Sequence, residues 1–264
     1  MLVVRVIKEL YKACSFFRAI VRFLTGNKVV GSFSNTTLLK NCRIKVQKGN
    51  SCTVNPADWT IKNVTIIVEG NNNVVKIDDN LLVESSMTIR VTGNDNYVEL
   101  GEFCRFSTDN TNIVINGNNC TFITGKCCKF GGGVVSCREN GTSVIIGDRL
   151  DSQKGLSIDA MEGKKITISD RVLIAYNVEI RNTDGHSILD GDRKRTNVAQ
   201  DTTIGKHVWI GQGVVIMKGS VIPDECVVGA HSVVTKAFYN SNALLVGVPA
   251  EIKKTNITWN EKRI

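Results

Sequence analysis

The sequence predicts an all-β solenoid, and three observations support this fold class. A six-residue repeat runs without a break from Ile204 to Val234. A longer unit of about two dozen residues recurs before it, between roughly residues 40 and 165. The composition is rich in Gly, Val, Ile and Asn and has only three prolines, which is typical of short strands separated by frequent turns.

The first segment, residues 1–26, has a different pattern. Polar residues recur at spacings of three and four from Arg5 to Arg22, with apolar residues between them, which predicts an amphipathic basic helix over 1–24. Two roles fit this helix equally well. It either packs on the body or on a neighbouring subunit, or it lies on an anionic membrane surface.

Residues 27–165 are predicted to form irregular coils of the solenoid. The clearest copies are IIVEGNNNVVKI, IRVTGNDNYVEL and IVINGNNCTFIT, each read as a strand, a Gly-Asn turn and a second strand. A repeat of this length indicates units that bury their apolar faces only by stacking on one another. Leu81, Cys104 and Cys128 share one repeat position and are expected in the interior. The turn asparagines suit positive φ angles and are expected to stack as a ladder.

Residues 166–250 are predicted to be the catalytic β-helix, built from hexads. Ile168, Ile174 and Ile180 lead the first hexads, a polar loop follows at 187–203, and five hexads continue from Ile204. An aliphatic residue leads each hexad and a small residue follows four positions later, which predicts short strands with corners around a narrow core. Residues 251–264 are predicted to be a C-terminal tail.

Charge and cysteine usage exclude several classes of protein. The net charge is +8, but residues 1–30 carry +5 and residues 251–264 carry +2, so the predicted body is nearly neutral. A nucleic-acid binder would carry its basic stripe on the body, so none is expected here. Nine cysteines without a CxxC pair, and no clear leader cleavage site, favour a reduced cytoplasmic setting, peripheral to the inner membrane if the basic helix binds lipid. No apolar run is long enough to span a bilayer.

The stretch IGKHVWIGQGVVIMKGSVIPDECVVGAHSVVTKAF, followed by LLVGVPAEIKK, resembles the hexapeptide-repeat acyltransferases, and among them the sugar and polysaccharide O-acetyltransferases. The resemblance implies a left-handed parallel β-helix of triangular section. It also implies a homotrimer with acetyl-CoA bound in the groove between two subunits. Direct transfer by a histidine base, without a metal or an acyl-enzyme, is the mechanism that the resemblance implies.

His186 is the candidate base. It lies in NTDGHSILD, where the hexads give way to the polar loop, and the resemblance places the family's base in a similar DGH setting. A neutral imidazole can take a hydroxyl proton near neutral pH. Asp184, Asp190 or a backbone carbonyl could orient the ring, with Asp184 preferred.

The other two histidines, His207 and His231, are four hexads apart, which is one and a third coils at three hexads per coil. They are therefore expected on different faces of the prism. A zinc site needs ligands that converge from neighbouring positions, so no metal is predicted.

The resemblance also implies roles for residues around the hexads. Trp209, at a corner, would lie beside the acceptor and the acyl arm of CoA, although a corner tryptophan can equally pack between subunits. Small residues would give the pantetheine access to the backbone, and lysines would meet the phosphates, unless they are ordinary solvated charges. The implied donor-binding residues are Gly211, Gln212, Ala230, Thr235, Lys236 and Lys253.

A basic run, Arg193 to Arg195, follows the candidate base within the loop. It is either a solvated face or a contact for an acidic sugar or for CoA phosphates. Taken together, the sequence predicts an acetyl-CoA-dependent O-acetyltransferase acting on a sugar hydroxyl of a bacterial surface or capsular polysaccharide, with a sialic-acid polymer among the candidates. The alternatives are an N-acetyltransferase of a nucleotide-linked amino sugar and a non-enzymatic β-helix scaffold.

Overall fold

The structure is a computed structural model that describes residues 28–30, 39–40, 42–54, 61–78 and 80–263. The helix predicted for residues 1–24 lies outside the described residues. Within them the chain is a parallel β-helix with strands on three sheets, which confirms the predicted fold class. The described part of the chain contains no helix long and apolar enough to cross a membrane.

Up to Val234 the chain visits the three sheets in the same order on each coil, so each sheet collects every third strand, and the last two strands both join one sheet. Sheet A contains β1 (Lys28–Val30), β4 (Ser51–Val54), β7 (Val74–Ile77), β10 (Tyr97–Leu100), β13 (Thr121–Thr124), β16 (Ser143–Ile146), β19 (Lys165–Ile168), β22 (Thr202–Ile204) and β25 (Val221–Ile222). Sheet B contains β2 (Leu39–Lys40), β5 (Ile61–Lys62), β8 (Leu82–Val83), β11 (Arg105–Phe106), β14 (Lys129–Phe130), β17 (Asp151–Ser152), β20 (Leu173–Ile174), β23 (Trp209–Ile210), β26 (Val227–Val228), β28 (Leu244–Gly247) and β29 (Ala250–Lys254). Sheet C contains β3 (Arg43–Val46), β6 (Val64–Asn71), β9 (Met87–Asn94), β12 (Thr111–Asn116), β15 (Gly133–Arg138), β18 (Leu156–Ala160), β21 (Glu179–Arg181), β24 (Val215–Ile216) and β27 (Val233–Val234).

We name the corners by the sheets that they join, as the A–B, B–C and C–A edges. Coils of two lengths share the same three sheets. Val98 pairs with Phe122 in the next coil, and Ile204 pairs with Ile222. The circuit from Ile204 to Ile222 is therefore one hexad shorter than the circuit from Val98 to Phe122. We call the coils before β19 the long coils and those from β22 onward the short coils. The step between them, from Ile168 to Ile204, is twice as long as a short coil because an excursion is inserted on the C–A edge.

The hexad pattern of the short coils is confirmed as the pattern of burial. Every leading residue from Ile204 to Val234 is fully buried, as is every fifth residue from Val208 to Ser232. In the long coils the predicted column of Leu81, Cys104 and Cys128 is also buried. Free cysteine thus serves here as a small apolar residue in a narrow core.

Asparagine side chains close the C–A edge of the long coils, and the predicted ladder is confirmed. Asn94 Nδ2 donates to Asn118 Oδ1 at 3.1 Å on the outer side of the edge. A second, buried ladder runs beside it, in which Asn96 Nδ2 donates to Asn73 Oδ1 at 2.9 Å and Asn73 Nδ2 donates to Asn50 Oδ1 at 2.9 Å. Backbone N–H groups at the turn bond the same oxygens, so buried polar groups find partners in the next coil.

The structure differs from the sequence prediction in three details. Each long unit holds three strands rather than two, because its sheet B strand has only two residues and gives no periodic signal. The strand-free excursion runs from 182 to 201, where 187–203 was expected, since β21 ends at Arg181. Residues 251–254, expected as tail, belong to β29, which pairs antiparallel with β28.

Candidate active site

The excursion 182–201 leaves the C–A edge between β21 and β22, and it carries His186. The His186 side chain is exposed, and its ring makes no hydrogen bond to any residue that the structure describes. Its backbone is held, because the His186 carbonyl accepts a hydrogen bond from Asn197 Nδ2 at 2.7 Å. The imidazole is therefore presented to solvent on a segment whose main chain is fixed.

Asn197 is the residue that holds the excursion together. Its side chain is buried, its Nδ2 also donates to Asp184 Oδ2 at 2.8 Å, and its Oδ1 accepts from the backbone N–H of Ile188 at 2.7 Å. Lys218, which follows β24 on the short coils, donates from Nζ to the Asn197 carbonyl at 3.0 Å and to the Asp184 carboxylate. One asparagine thus fixes both sides of the candidate base.

Neither candidate carboxylate is bonded to the His186 ring. The Lys218 ammonium beside Asp184 holds the pKa of that carboxyl below its usual range, so Asp184 is an anion committed to Lys218 and Asn197. Asp190 Oδ1 accepts the backbone N–H groups of Asp192 and Lys194 and closes a turn within the excursion. Asp184 therefore positions the backbone of the excursion. No hydrogen bond joins its carboxylate to the His186 imidazole, as the predicted orienting role would require.

A second tie joins the excursion to the last long coil. Arg195 and Glu162 form a bidentate ion pair, with Nη1 to Oε2 at 2.6 Å and Nη2 to Oε1 at 2.8 Å. Thr183 Oγ1 also donates to Glu162 at 2.6 Å, and these contacts, the Arg195 bonds first, lower the pKa of Glu162 to about 2. Arg195 is thereby engaged within the chain, so of the basic run only Arg193 and Lys194 are exposed to meet a ligand.

Trp209 lies on the outer face of sheet B, just after the A–B edge. It pairs in register with Leu173 and Val227, and 41% of its surface is exposed. Trp259 of the C-terminal segment lies beside it, with ring centroids 6.1 Å apart. Trp259 is anchored in turn by a hydrogen bond from Nε1 to the His207 carbonyl at 2.7 Å and by stacking on the His207 ring. Sequence reasoning missed Trp259 because no periodicity extends beyond residue 250.

The predicted donor-binding residues lie in two groups on the short coils and on the final hairpin. Gly211, Gln212 and Ala230 are on the B–C edge in successive coils, and a Cβ on Gly211 would lie 2.7 Å from the Ala230 nitrogen. Thr235 and Lys236 follow β27. Lys236 Nζ lies 2.8 Å from Glu251 on β29, the strand that also carries Lys253, so the two predicted lysines belong to the same end of the helix.

His186 and Trp209 do not meet within one chain. His186 projects from the C–A edge, whereas Trp209 follows the A–B edge, so the whole width of sheet A separates them. No hydrogen bond or ring contact joins the excursion to Trp209 among the described residues. Within one chain the two residues therefore belong to different edges of the β-helix.

The remaining histidines lie on different edges, as the hexad count predicted. His207 is on the A–B edge, where its Nδ1 lies 2.7 Å from Glu225 Oε2, and His231 is on the B–C edge. Among the residues that the structure describes, no three His, Cys, Asp or Glu side chains come together in a way that could hold a metal ion.

Comparisons with known proteins give a consistent result. The family model for the bacterial transferase hexapeptide (six repeats) matches residues 201–236. The polysialic acid O-acetyltransferase of Neisseria meningitidis is 35% identical over 195 residues, covering 74% of this chain and 88% of the relative. The galactoside O-acetyltransferase of Escherichia coli K12 is 38% identical over 113 residues, covering 42% of this chain and 54% of that protein. Among solved structures, the polySia-specific acetyltransferase NeuO superposes with a TM-score of 0.58 at 26% identity, covering 87% of this chain and 84% of that one.

Proposed function

Since this chain belongs to the hexapeptide-repeat O-acetyltransferases and is an acetyltransferase, we propose that it moves the acetyl group of acetyl-CoA to a hydroxyl of a bacterial surface or capsular polysaccharide. The acceptor class that the relatives favour is an acidic polymer of the sialic-acid type, because the relative that this chain covers at 88% of its length acts on polysialic acid. The observation that carries the mechanism is the exposed His186 imidazole on a clamped backbone.

The reaction is a direct transfer. The free imidazole nitrogen of His186 removes the proton of the acceptor hydroxyl as its oxygen attacks the thioester carbonyl carbon. The carbon–sulfur bond then breaks, and the CoA sulfur leaves as a thiol after it takes the proton back from the imidazolium. An ester bond has formed on the sugar and no covalent enzyme intermediate is needed.

The donor would lie on the short-coil side of the site. Gly211 and Ala230 lack side chains that would keep the pantetheine from the backbone, and Lys236 and Lys253 offer cations for the phosphates. Trp209 would border the acyl arm. Because His186 and Trp209 lie on opposite sides of sheet A, we propose that the enzyme is a homotrimer whose sites each take His186 from one subunit and Trp209 from its neighbour.

A complementation experiment tests the mechanism and the shared site together. His186→Ala should lower acetyl transfer by roughly 10²- to 10⁴-fold, the usual contribution of a general base. Trp209→Ala should also reduce the rate. Co-expression of the two variants gives a random population of trimers in which about a quarter of all sites combine an intact histidine with an intact tryptophan, so activity should return to about that fraction of the wild-type value.

Mass spectrometry of acetylated acceptor measures the rates, and light scattering confirms that each variant keeps the wild-type mass. Mixed trimers no more active than the separate variants would exclude a site shared between subunits. A folded His186→Ala protein with wild-type activity would exclude His186 as the base.

A further inference from the structure

Two arginines on the A–B edge have no assigned role. Arg149 and Arg171 occupy the same corner position in successive coils, since the Arg171 N–H bonds the Asp148 carbonyl at 2.8 Å just as the Arg149 N–H bonds the Lys126 carbonyl at 2.8 Å. Strand spacing in a sheet therefore places their backbones about 4.8 Å apart. Both side chains are exposed, and neither forms an ion pair or a hydrogen bond with a described residue.

The other charges of this edge are already engaged. Lys126 pairs with Glu102 at 3.0 Å and Lys206 pairs with Asp170 at 3.3 Å. Asp148 Oδ1 accepts the backbone N–H of Lys126 at 2.8 Å, which turns this carboxylate toward the previous coil. Arg149 and Arg171 are the neighbouring cations of this edge that form no ion pair within the described part of the chain, although the Arg171 charge contributes to the lowered pKa of Asp170. Like charges in neighbouring positions of one column repel unless an anion lies near them.

The position of the pair relates it to the candidate site. The next coil places His207 in the same corner column, and Trp209 follows two residues later. Arg171 and Arg149 are therefore one and two coil steps from this corner, on the side toward the chain's N-terminus. Of the predicted donor-binding residues, Gly211 and Gln212 lie on the coil of Trp209 at its B–C edge, and the others lie on later coils, toward the C-terminal end.

We propose that Arg149 and Arg171 form a binding subsite for successive carboxylates of an acidic polysaccharide acceptor that follows the A–B edge toward Trp209. The proposal rests on the proposed function, in which the acceptor is such a polymer. Guanidinium groups bind carboxylates in a bidentate manner. Because Arg149 and Arg171 occupy successive positions along one edge, they match a polymer that carries a carboxylate on successive sugar units. The subsite selects the polymer and holds it, while the reacting hydroxyl lies further along at His186 of a neighbouring subunit.

The test compares two double variants of equal charge change. Arg149→Gln/Arg171→Gln removes the subsite, whereas Arg43→Gln/Arg90→Gln removes two exposed arginines of sheet C that likewise make no described ion pair. The first variant should raise the KM for long-chain polysialic acid about tenfold at low salt and leave the KM for acetyl-CoA unchanged. The second should leave both constants within about twofold of wild type, and Arg149→Lys/Arg171→Lys should recover part of the lost affinity because the charge remains.

Two further measurements distinguish the subsite from the proposed function. The wild-type KM for the polymer should rise with added salt, and the Gln variant should lose most of this dependence. Binding of polysialic acid and of neutral dextran, measured by calorimetry without acetyl-CoA, separates the subsite from the chemistry. If the wild-type protein binds the polymer and the Gln variant does not, the subsite stands even if no acetyl transfer to that polymer occurs.

Equal effects of the two double variants would overturn the proposal, because net charge rather than this edge would then be responsible. A raised KM for acetyl-CoA in the Gln variant would also overturn it, since the arginines would then serve CoA phosphates. If the Gln variant transferred acetyl groups to polysialic acid with unchanged KM values, the proposed function would be supported and the subsite would be excluded.

Discussion

The long coils and the short coils share three sheets but turn the C–A edge by different means. A long coil takes more residues per circuit than a short coil and closes this edge with glycine, a residue at positive φ and a stacked amide, as at Gly93, Asp95 and Asn96. The short-coil turn between β24 and β25 has four residues, in which Gly219 is at positive φ and the buried Ser220 takes the place of the stacked amide. The long coils therefore carry ladders of amide hydrogen bonds along this edge, whereas the short coils use small residues and single hydroxyl hydrogen bonds, such as that from Ser220 to the Val234 carbonyl. The candidate base lies at the junction, where the chain leaves the edge altogether.

Replacing glycine on the C–A edge should give the largest contrast between the two regions. In the long coils, a Cβ on Gly93 would lie 1.9 Å from the Gly117 carbonyl oxygen, at a φ of 118°. In the short coils, a Cβ on Gly219 would meet only the flexible side chain of Gln200, at a φ of 71°. We expect Gly93→Ala to cost roughly 3 kcal/mol or more, from backbone strain and overpacking, and Gly219→Ala about 1–2 kcal/mol.

Urea unfolding followed by circular dichroism measures both changes. Similar losses of unfolding free energy in the two variants would mean that glycine is equally constrained at the C–A edge of the long and the short coils.

The buried amide ladder should give the next largest effect. Asn73→Ala would remove the partner of the buried Asn96 N–H and one of the two donors to the side-chain oxygen of Asn50, at a cost of about 2–4 kcal/mol. Asn94→Ala, on the solvent side of the same edge, should cost less than about 1 kcal/mol because water can replace the lost bonds. Ser220→Ala removes one buried hydrogen bond, to the Val234 carbonyl at 3.0 Å, and gives the short-coil reference at about 1 kcal/mol.

The free energy of unfolding of the three variants, compared with wild type, checks this order. A loss in Asn73→Ala no greater than in Asn94→Ala would show that the inner ladder adds nothing beyond the outer one.

The smallest expected effect is a pH dependence at the junction between the two regions. Arg195 lowers the pKa of Glu162 from its ordinary value of 4.5 to about 2 in the folded protein. A lowered folded pKa means that the stabilising contribution is present above pH 4.5 and is lost as the pH falls from 4.5 toward 2. Wild type should therefore lose stability over this interval relative to Glu162→Gln, which lacks the titrating group.

Thermal unfolding of both proteins between pH 2 and pH 7 measures the difference. Parallel curves across that range would show that the tie between the excursion and the last long coil does not stabilise the folded state. At neutral pH, Glu162→Gln should also make the excursion more accessible to proteases, since it weakens the bidentate ion pair that joins Arg195 to the last long coil.

The sequence predicted what depends on repetition. The leading residues of the hexads, the interior cysteines and the stacked asparagines recur at fixed intervals, and burial follows these intervals. Contacts that depend on the path of a single non-repeating segment could not be predicted. Asn197, Glu162 and Lys218 belong to three different coils or loops, and only the folded excursion brings them to Asp184 and Arg195. Trp259 was missed for the same reason, because its place beside Trp209 depends on how the tail folds back.

The position of His186 relative to Trp209 could likewise be established only from the structure. Counting hexads places residues on edges, but the long excursion could have crossed sheet A, and only its hydrogen bonds to Lys218 and Glu162 show that it stays on the C–A edge.

The coiling has one more consequence, for how the molecule can change in length. Each circuit returns to the same edge, and strands of neighbouring coils are about 4.8 Å apart. Adding or deleting one whole long unit ahead of β13 would therefore move the amino-terminal end by a single step of that size, without rotating it around the axis and without affecting Arg149, Glu162 or His186. The first long coils thus form a spacer whose length can change in whole-coil steps, independently of the candidate active site.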